Sequence, residues 1–163
     1  EIETRIDNLS DDAMPVSIGY HPWFQLSDAP RDSWKLHLAA RDHLELSKTK
    51  IPTGKSEPVQ FSDPLPLKGV YLDDVLGGLI RDARGEASFS VEGNREKITV
   101  TFGPKYQNAV VYAPPGRDIV CLEPMSGPTN AFNMAHDGTY SSLQSIPPRG
   151  EWHAAFRIKA EGF

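Results

Sequence analysis

Apolar side chains in this chain recur at every second position in short runs, and no long stretch repeats at the helical spacing of 3.6. Ile2, Thr4 and Ile6 alternate with charged residues, as do Trp34, Leu36 and Leu38, then Leu44 and Leu46. Such alternation puts one side chain in two on the same face, the signature of half-buried strands. Ser88 to Val91 and Ile98 to Phe102 flank a polar segment whose Gly93-Asn94 pair suits a tight turn with positive φ, so a hairpin is expected there. Asn108 to Tyr112 and Ile119 to Leu122 form a second expected pair around A-P-P-G-R-D, and Trp152 to Ile158 reads as a last strand. The 14 Pro and 13 Gly fall mainly between these runs. The pattern predicts an all-β, antiparallel sandwich. The Pro-, Ser- and Lys-rich segment from Lys48 to Leu67 reads as a surface loop over the sheet, so residues 1–163 are expected to form a single domain.

Composition bounds the function classes. A chain of 163 residues, 39% apolar and 24% charged, can bury a core of its own. The formal charge of −5, from 17 basic and 22 acidic side chains without a basic stripe, argues against a nucleic-acid partner. No apolar run approaches a membrane span and no secretory h-region is visible, so no membrane partner is expected and a cytoplasmic location is. The lone Cys121 excludes an internal disulfide and a multi-thiolate metal site.

Two segments look suited to chemistry. Ile119 to Asn133, I-V-C-L-E-P-M-S-G-P-T-N-A-F-N, sets Glu123 where an apolar strand is expected to run out into a Pro- and Gly-broken loop. Met14 to Leu26, M-P-V-S-I-G-Y-H-P-W-F-Q-L, does the same for His21. On the strand pattern alone Glu123 reads as a solvated strand-end carboxylate, and His21 equally as a packed histidine bonded to a carbonyl. Cys121, two residues before Glu123, shares its strand face and reads as a small hydrophobe on the floor of the site. Asp73 and Asp74 in Y-L-D-D-V-L point opposite ways on an extended segment, so only one can face a given pocket. His37, His43 and His153 sit in strand-like stretches and His136 in an apparent turn, where surface or half-buried roles suffice. No H-E-x-x-H spacing, G-x-G-x-x-G or G-x-x-x-x-G-K-[ST] cradle, or G-x-S-x-G elbow occurs, so neither metal, nucleotide cofactor nor serine nucleophile is indicated.

These blocks resemble, in order and along nearly the whole chain, those of the aldose 1-epimerases, the galactose mutarotase family. There a G-x-H-x-x-F block, matched by Gly19, His21 and Phe24, supplies a general acid, and a Glu in an E-P setting, matched by Glu123 and Pro124, supplies the base. The block with Asp73 is similar to one whose aspartate binds sugar hydroxyls. The resemblance implies a galactose mutarotase-like supersandwich, and a chain that interconverts the α and β anomers of a free aldohexose of the glucose or galactose type without a cofactor. Family members carry, in their first half, a further Arg and His that contact the sugar and have no match here. The expectation is therefore an incomplete, C-terminal portion of the domain, beginning at Glu1, that need not act alone. The alternative is a carbohydrate-binding β-sandwich without catalysis. Ordinary values of ~4.3 for Glu and ~6.5 for His predict that Glu123 is ionised at neutral pH.

Overall fold

The computed structural model describes residues 1–163, which form fourteen strands and little helix. In chain order these are β1 (Ile2–Asp7), β2 (Met14–Val16), β3 (Trp23–Phe24), β4 (Lys35–Leu38), β5 (Ala40–Leu46), β6 (Pro52–Pro58), β7 (Leu65–Pro66), β8 (Leu72–Leu79), β9 (Ala87–Glu92), β10 (Lys97–Phe102), β11 (Asn108–Ala113), β12 (Val120–Met125), β13 (Gln144–Ile146) and β14 (Glu151–Glu161). One sheet runs β1-β14-β10-β9-β4-β7 and the other β3-β12-β11-β8-β5-β6, with every pairing antiparallel. β2 and β13 form a small ribbon of their own.

The alternation explains the layering. Leu36, Leu38, Phe89, Val91, Val100, Phe102, Trp152 and Phe156 project from the first sheet into the same core as Leu72, Leu76, Val111, Val120 and Leu122 from the second. Two sheets thus seal one core, the antiparallel sandwich that the pattern predicts. The polar partners in each alternation are left on the outer faces.

Four local expectations need correction. The segment from Lys48 to Leu67 is not a loop throughout: β6 pairs with β5 and β7 with β4. The strand carrying Glu123 does not stop there, because Pro124 and Met125 continue β12 opposite Ala109 and Asn108. The β9–β10 turn closes through the Gly93 N–H donating to the Glu96 carbonyl at 2.9 Å, and neither Gly93 nor Asn94 has positive φ. The short helix α1 (Ala131–His136) takes up His136, where a turn is expected.

Candidate functional site

The second sheet turns Val120 and Leu122 into the core and, by the period of two, Cys121 and Glu123 to its outer face. Register extends that face sideways: Cys121 lies opposite Tyr112, which lies opposite Asp73, and Trp23 lies opposite Cys121 on the other flank. Asp74 turns the other way and meets His43 Nε2 at 2.8 Å. The opposed aspartates behave as the extended backbone requires.

His21 arrives from a segment more than a hundred residues away in sequence. Ser126 N–H donates to the Ile18 carbonyl at 2.8 Å, Ile18 N–H to Ser126 Oγ at 2.8 Å and Tyr20 N–H to the Pro124 carbonyl at 3.0 Å. These bonds lay Ile18 to Tyr20 along the end of β12. Gly19 eases that approach, since a Cβ there would meet Met125 Sδ at 2.0 Å and force that side chain to shift. Tyr20 anchors the segment by packing on Phe156, ring centroids 5.0 Å apart, and by its hydroxyl contact with Thr4. The chain then delivers the His21 imidazole, stacked on Trp23 at 5.3 Å between centroids and 7° between planes.

The outcome is a close pair. His21 Nε2 stands 3.3 Å from Glu123 Oε1, with the His21 side chain 55% exposed and that of Glu123 only 7%. Gly19, Tyr20, His21, Glu123 and Met125 line a cavity of about 240 Å³ there. Burial, reinforced by the negative charge of Asp73, raises the Glu123 carboxyl to about 7. Full ionisation at neutral pH, expected from the ordinary value, is thereby corrected. His21 remains open to water, so it offsets little of the cost of burying that charge. Cys121 is fully buried; burial, with Glu123 adding to it, pushes the thiol up to about 12.

Asp73 stands across two strand spacings from β12, roughly 10 Å. Its Oδ2 accepts from the Tyr71 hydroxyl at 3.2 Å and pairs with Lys50 Nζ at 2.9 Å. Tyr71, Tyr112 and Trp23 form a chain of edge-to-face rings along the outer face, and the Arg117 guanidinium lies over Trp23 at 5.8 Å. His37 and His153 sit beside surface carboxylates away from this face, as their sequence context suggests.

One grouping escapes any reading of spacing. A ligand atom from each of His21, Cys121 and Glu123 lies within 4.8 Å of the other two. Cys121 and Glu123 are visible in sequence as neighbours on one strand face, but nothing local to His21 ties it to them. Lys50 and Tyr71, the partners of Asp73, carry no sequence signal of their own.

With the geometry in hand, the family is decided by a match to the aldose 1-epimerase family model over residues 1–159. The chain belongs to the aldose 1-epimerase family. It is the family that the three sequence blocks resemble, and it is one of isomerase-type enzymes acting on sugars. Among solved structures the chain is similar to a galactose mutarotase-like protein from Clostridium acetobutylicum, at 17% identity and a TM-score of 0.84 over 99% of this chain and 52% of that one. The Slr1438 protein from Synechocystis sp. PCC 6803 aligns at 29% identity and a TM-score of 0.70, over 99% of this chain and 50% of that one. The GalM/aldose epimerase homologue from C. elegans aligns at 14% identity and a TM-score of 0.66, over 96% of this chain and 56% of that one. The sandwich is thus of the galactose mutarotase-like type. The chain spans about half the length of these neighbours. No helix is long and apolar enough to cross a membrane.

Proposed function

We propose that this chain carries the acid/base pair of an aldose 1-epimerase, with Glu123 as base, His21 as acid and Asp73 orienting a free aldohexose, residues 1–163 being a portion of one galactose mutarotase-like domain. The observation that carries this reading is the 3.3 Å approach of His21 Nε2 to Glu123 Oε1 beside an open cavity. Mutarotation needs a proton taken from the anomeric hydroxyl and another given to the ring oxygen; the ring then opens, C1 turns about its bond to C2, and the transfers reverse on closure. Both oxygens are bonded to C1, so the two groups must converge on atoms one carbon apart, each within about 2.6–3.2 Å of its target. Two side chains already in contact satisfy that demand by parting around the substrate.

The raised Glu123 value supports the role, because a base is most effective when its pKa lies near the working pH. Asp73, with Lys50 and Tyr71 fixing one oxygen, keeps acceptor capacity for ring hydroxyls, which a charged acceptor holds strongly. The Trp23 ring, half-exposed although His21 stacks on it and Arg117 lies over it, adds apolar surface beside the pair.

A second reading, sugar binding without turnover, is favoured by the chain's spanning only about half of its neighbours' length. One experiment separates the two. The optical rotation of freshly dissolved α-D-glucose or α-D-galactose is followed with the chain and with its Glu123→Gln and His21→Ala forms, while sugar binding is measured by calorimetry. Acceleration lost in both variants, with binding kept in Glu123→Gln, is the expected result. Binding with no acceleration by the unaltered chain establishes the second reading instead.

A further inference from the structure

We infer that His21, Cys121 and Glu123 together form a binding site for a thiophilic divalent cation of the zinc class. Their nitrogen, sulfur and oxygen donors lie within 4.8 Å of one another. Tetrahedral zinc, with bonds of about 2.0–2.3 Å to N, O and S, asks for donors roughly 3.3–3.8 Å apart. His21 and Glu123 already meet that spacing at 3.3 Å. Cys121 and Glu123 are held by β12, a strand paired on both sides, with β11 and with β3. With every donor pair within 4.8 Å, closing to the tetrahedral spacing asks for side-chain shifts of no more than about 1.5 Å, and the half-exposed His21 imidazole has room to make its share of them.

Three further features favour an ion of this class. The Glu123 side chain is only 7% exposed and its one close basic partner, His21, is itself half-exposed, so a cation would supply compensating charge to a buried carboxylate. The thiolate selects a soft or borderline metal, whereas magnesium and calcium need a shell of oxygens that this face does not offer. Three protein donors leave a fourth tetrahedral position for water or another small ligand, and two of the three, His21 and Glu123, line the cavity beside Gly19, Tyr20 and Met125. Binding is balanced as a proton exchange: the Cys121 S–H bond breaks, the sulfur–metal bond forms and that proton leaves to solvent, as does the Glu123 proton in molecules whose carboxyl is still protonated. On the epimerase reading, on which this one consequence rests, the ion occupies the lone pairs needed for proton transfer, and zinc inhibits mutarotation.

The test uses the reduced chain titrated with Co²⁺, whose bond to a thiolate gives a near-ultraviolet charge-transfer band. Saturation at a single ion per chain is expected, with the band bleached by Zn²⁺. The band is expected to vanish in Cys121→Ser. In His21→Ala, an altered surface side chain that leaves the core untouched, affinity is expected to fall by at least the roughly 10–100-fold that loss of outer-shell support costs. Absence of the band in the unaltered chain, or unchanged affinity in His21→Ala, overturns the site. Polarimetry with and without Zn²⁺ keeps the two ideas apart: turnover without a cobalt band removes the metal site alone, and a cobalt band without turnover removes the epimerase reading alone.

Discussion

Glu123 is the residue at which stability and chemistry pull in opposite directions. Its carboxyl sits near 7 in the folded chain against an ordinary 4.5, so the folded state holds its proton where the unfolded chain has released it. The contribution to stability is then full below pH 4.5, declines as pH rises towards 7, and is gone above. Ionising the buried group costs about 3 kcal/mol by this difference. Glu123→Gln keeps the shape and removes the charge. It is expected to abolish mutarotation and to raise stability at pH 8 by up to about 3 kcal/mol, with little gain at pH 4.5. Urea midpoints at the two pH values check this, and equal midpoints would show that the carboxylate is well solvated. On the proposed role as base, the same group would set the acid limb of turnover. A base must be deprotonated, so kcat/KM is expected to fall about tenfold for each pH unit below 7, whereas an ordinary glutamate would keep the limb near 4.5. The candidacy of Glu123 was legible in sequence; its shifted titration was not, because burial belongs to the neighbours that fold over it.

At the scale of elements, what the sequence disclosed was whatever local pattern determines. β9 and β10 fall within a residue of the expected hairpin, and β1, β4 and β14 follow their alternation. β6 was not visible, since P-T-G-K-S-E-P buries only Pro52 and has no period of two; its pairing with β5 at the sheet edge makes it a strand. Its charges and terminal prolines are those of a guarded edge. The β9–β10 turn shows a right residue for another reason. Gly93 is present because a Cβ would meet Asp28 Oδ1 at 2.2 Å, and that carboxylate accepts from the Arg95 and Glu96 N–H groups at 2.5 and 2.8 Å. Gly93→Ala is therefore expected to expel Asp28 and lower the thermal midpoint, and Asp28→Ala is expected to lower it likewise. Because the two act through one contact, the double variant should lose clearly less than the sum of the singles. Additive losses in a thermal melt would show that Gly93 and Asp28 are independent.

Across the whole molecule, the candidate site lies on the outer face of one sheet, so its geometry depends on how that sheet is seated against the other. Arg31, in the short 3-10 turn Arg31–Ser33, supplies part of the seating. Its guanidinium, 2% exposed, donates at 2.6 Å to each of the Leu67, Val70 and Ala113 carbonyls. Leu67 follows β7 of the first sheet, whereas Val70 precedes β8 and Ala113 ends β11 in the second, one residue after Tyr112 of the site face. The sequence concealed this, because the three acceptors of Arg31 are backbone groups from distant segments. Removing one member of a buried charged network costs about 3–5 kcal/mol, since partners stay buried and unpaired. Total stabilities run about 5–15 kcal/mol, so Arg31→Ala is expected to cost a large part of the fold's margin. Arg31→Lys, with a single ammonium for three carbonyls, should fall between. Urea unfolding of the three forms decides it. A loss under about 1 kcal/mol in Arg31→Ala would mean that water replaces the guanidinium, and that the core shared by the sheets holds the site face without it.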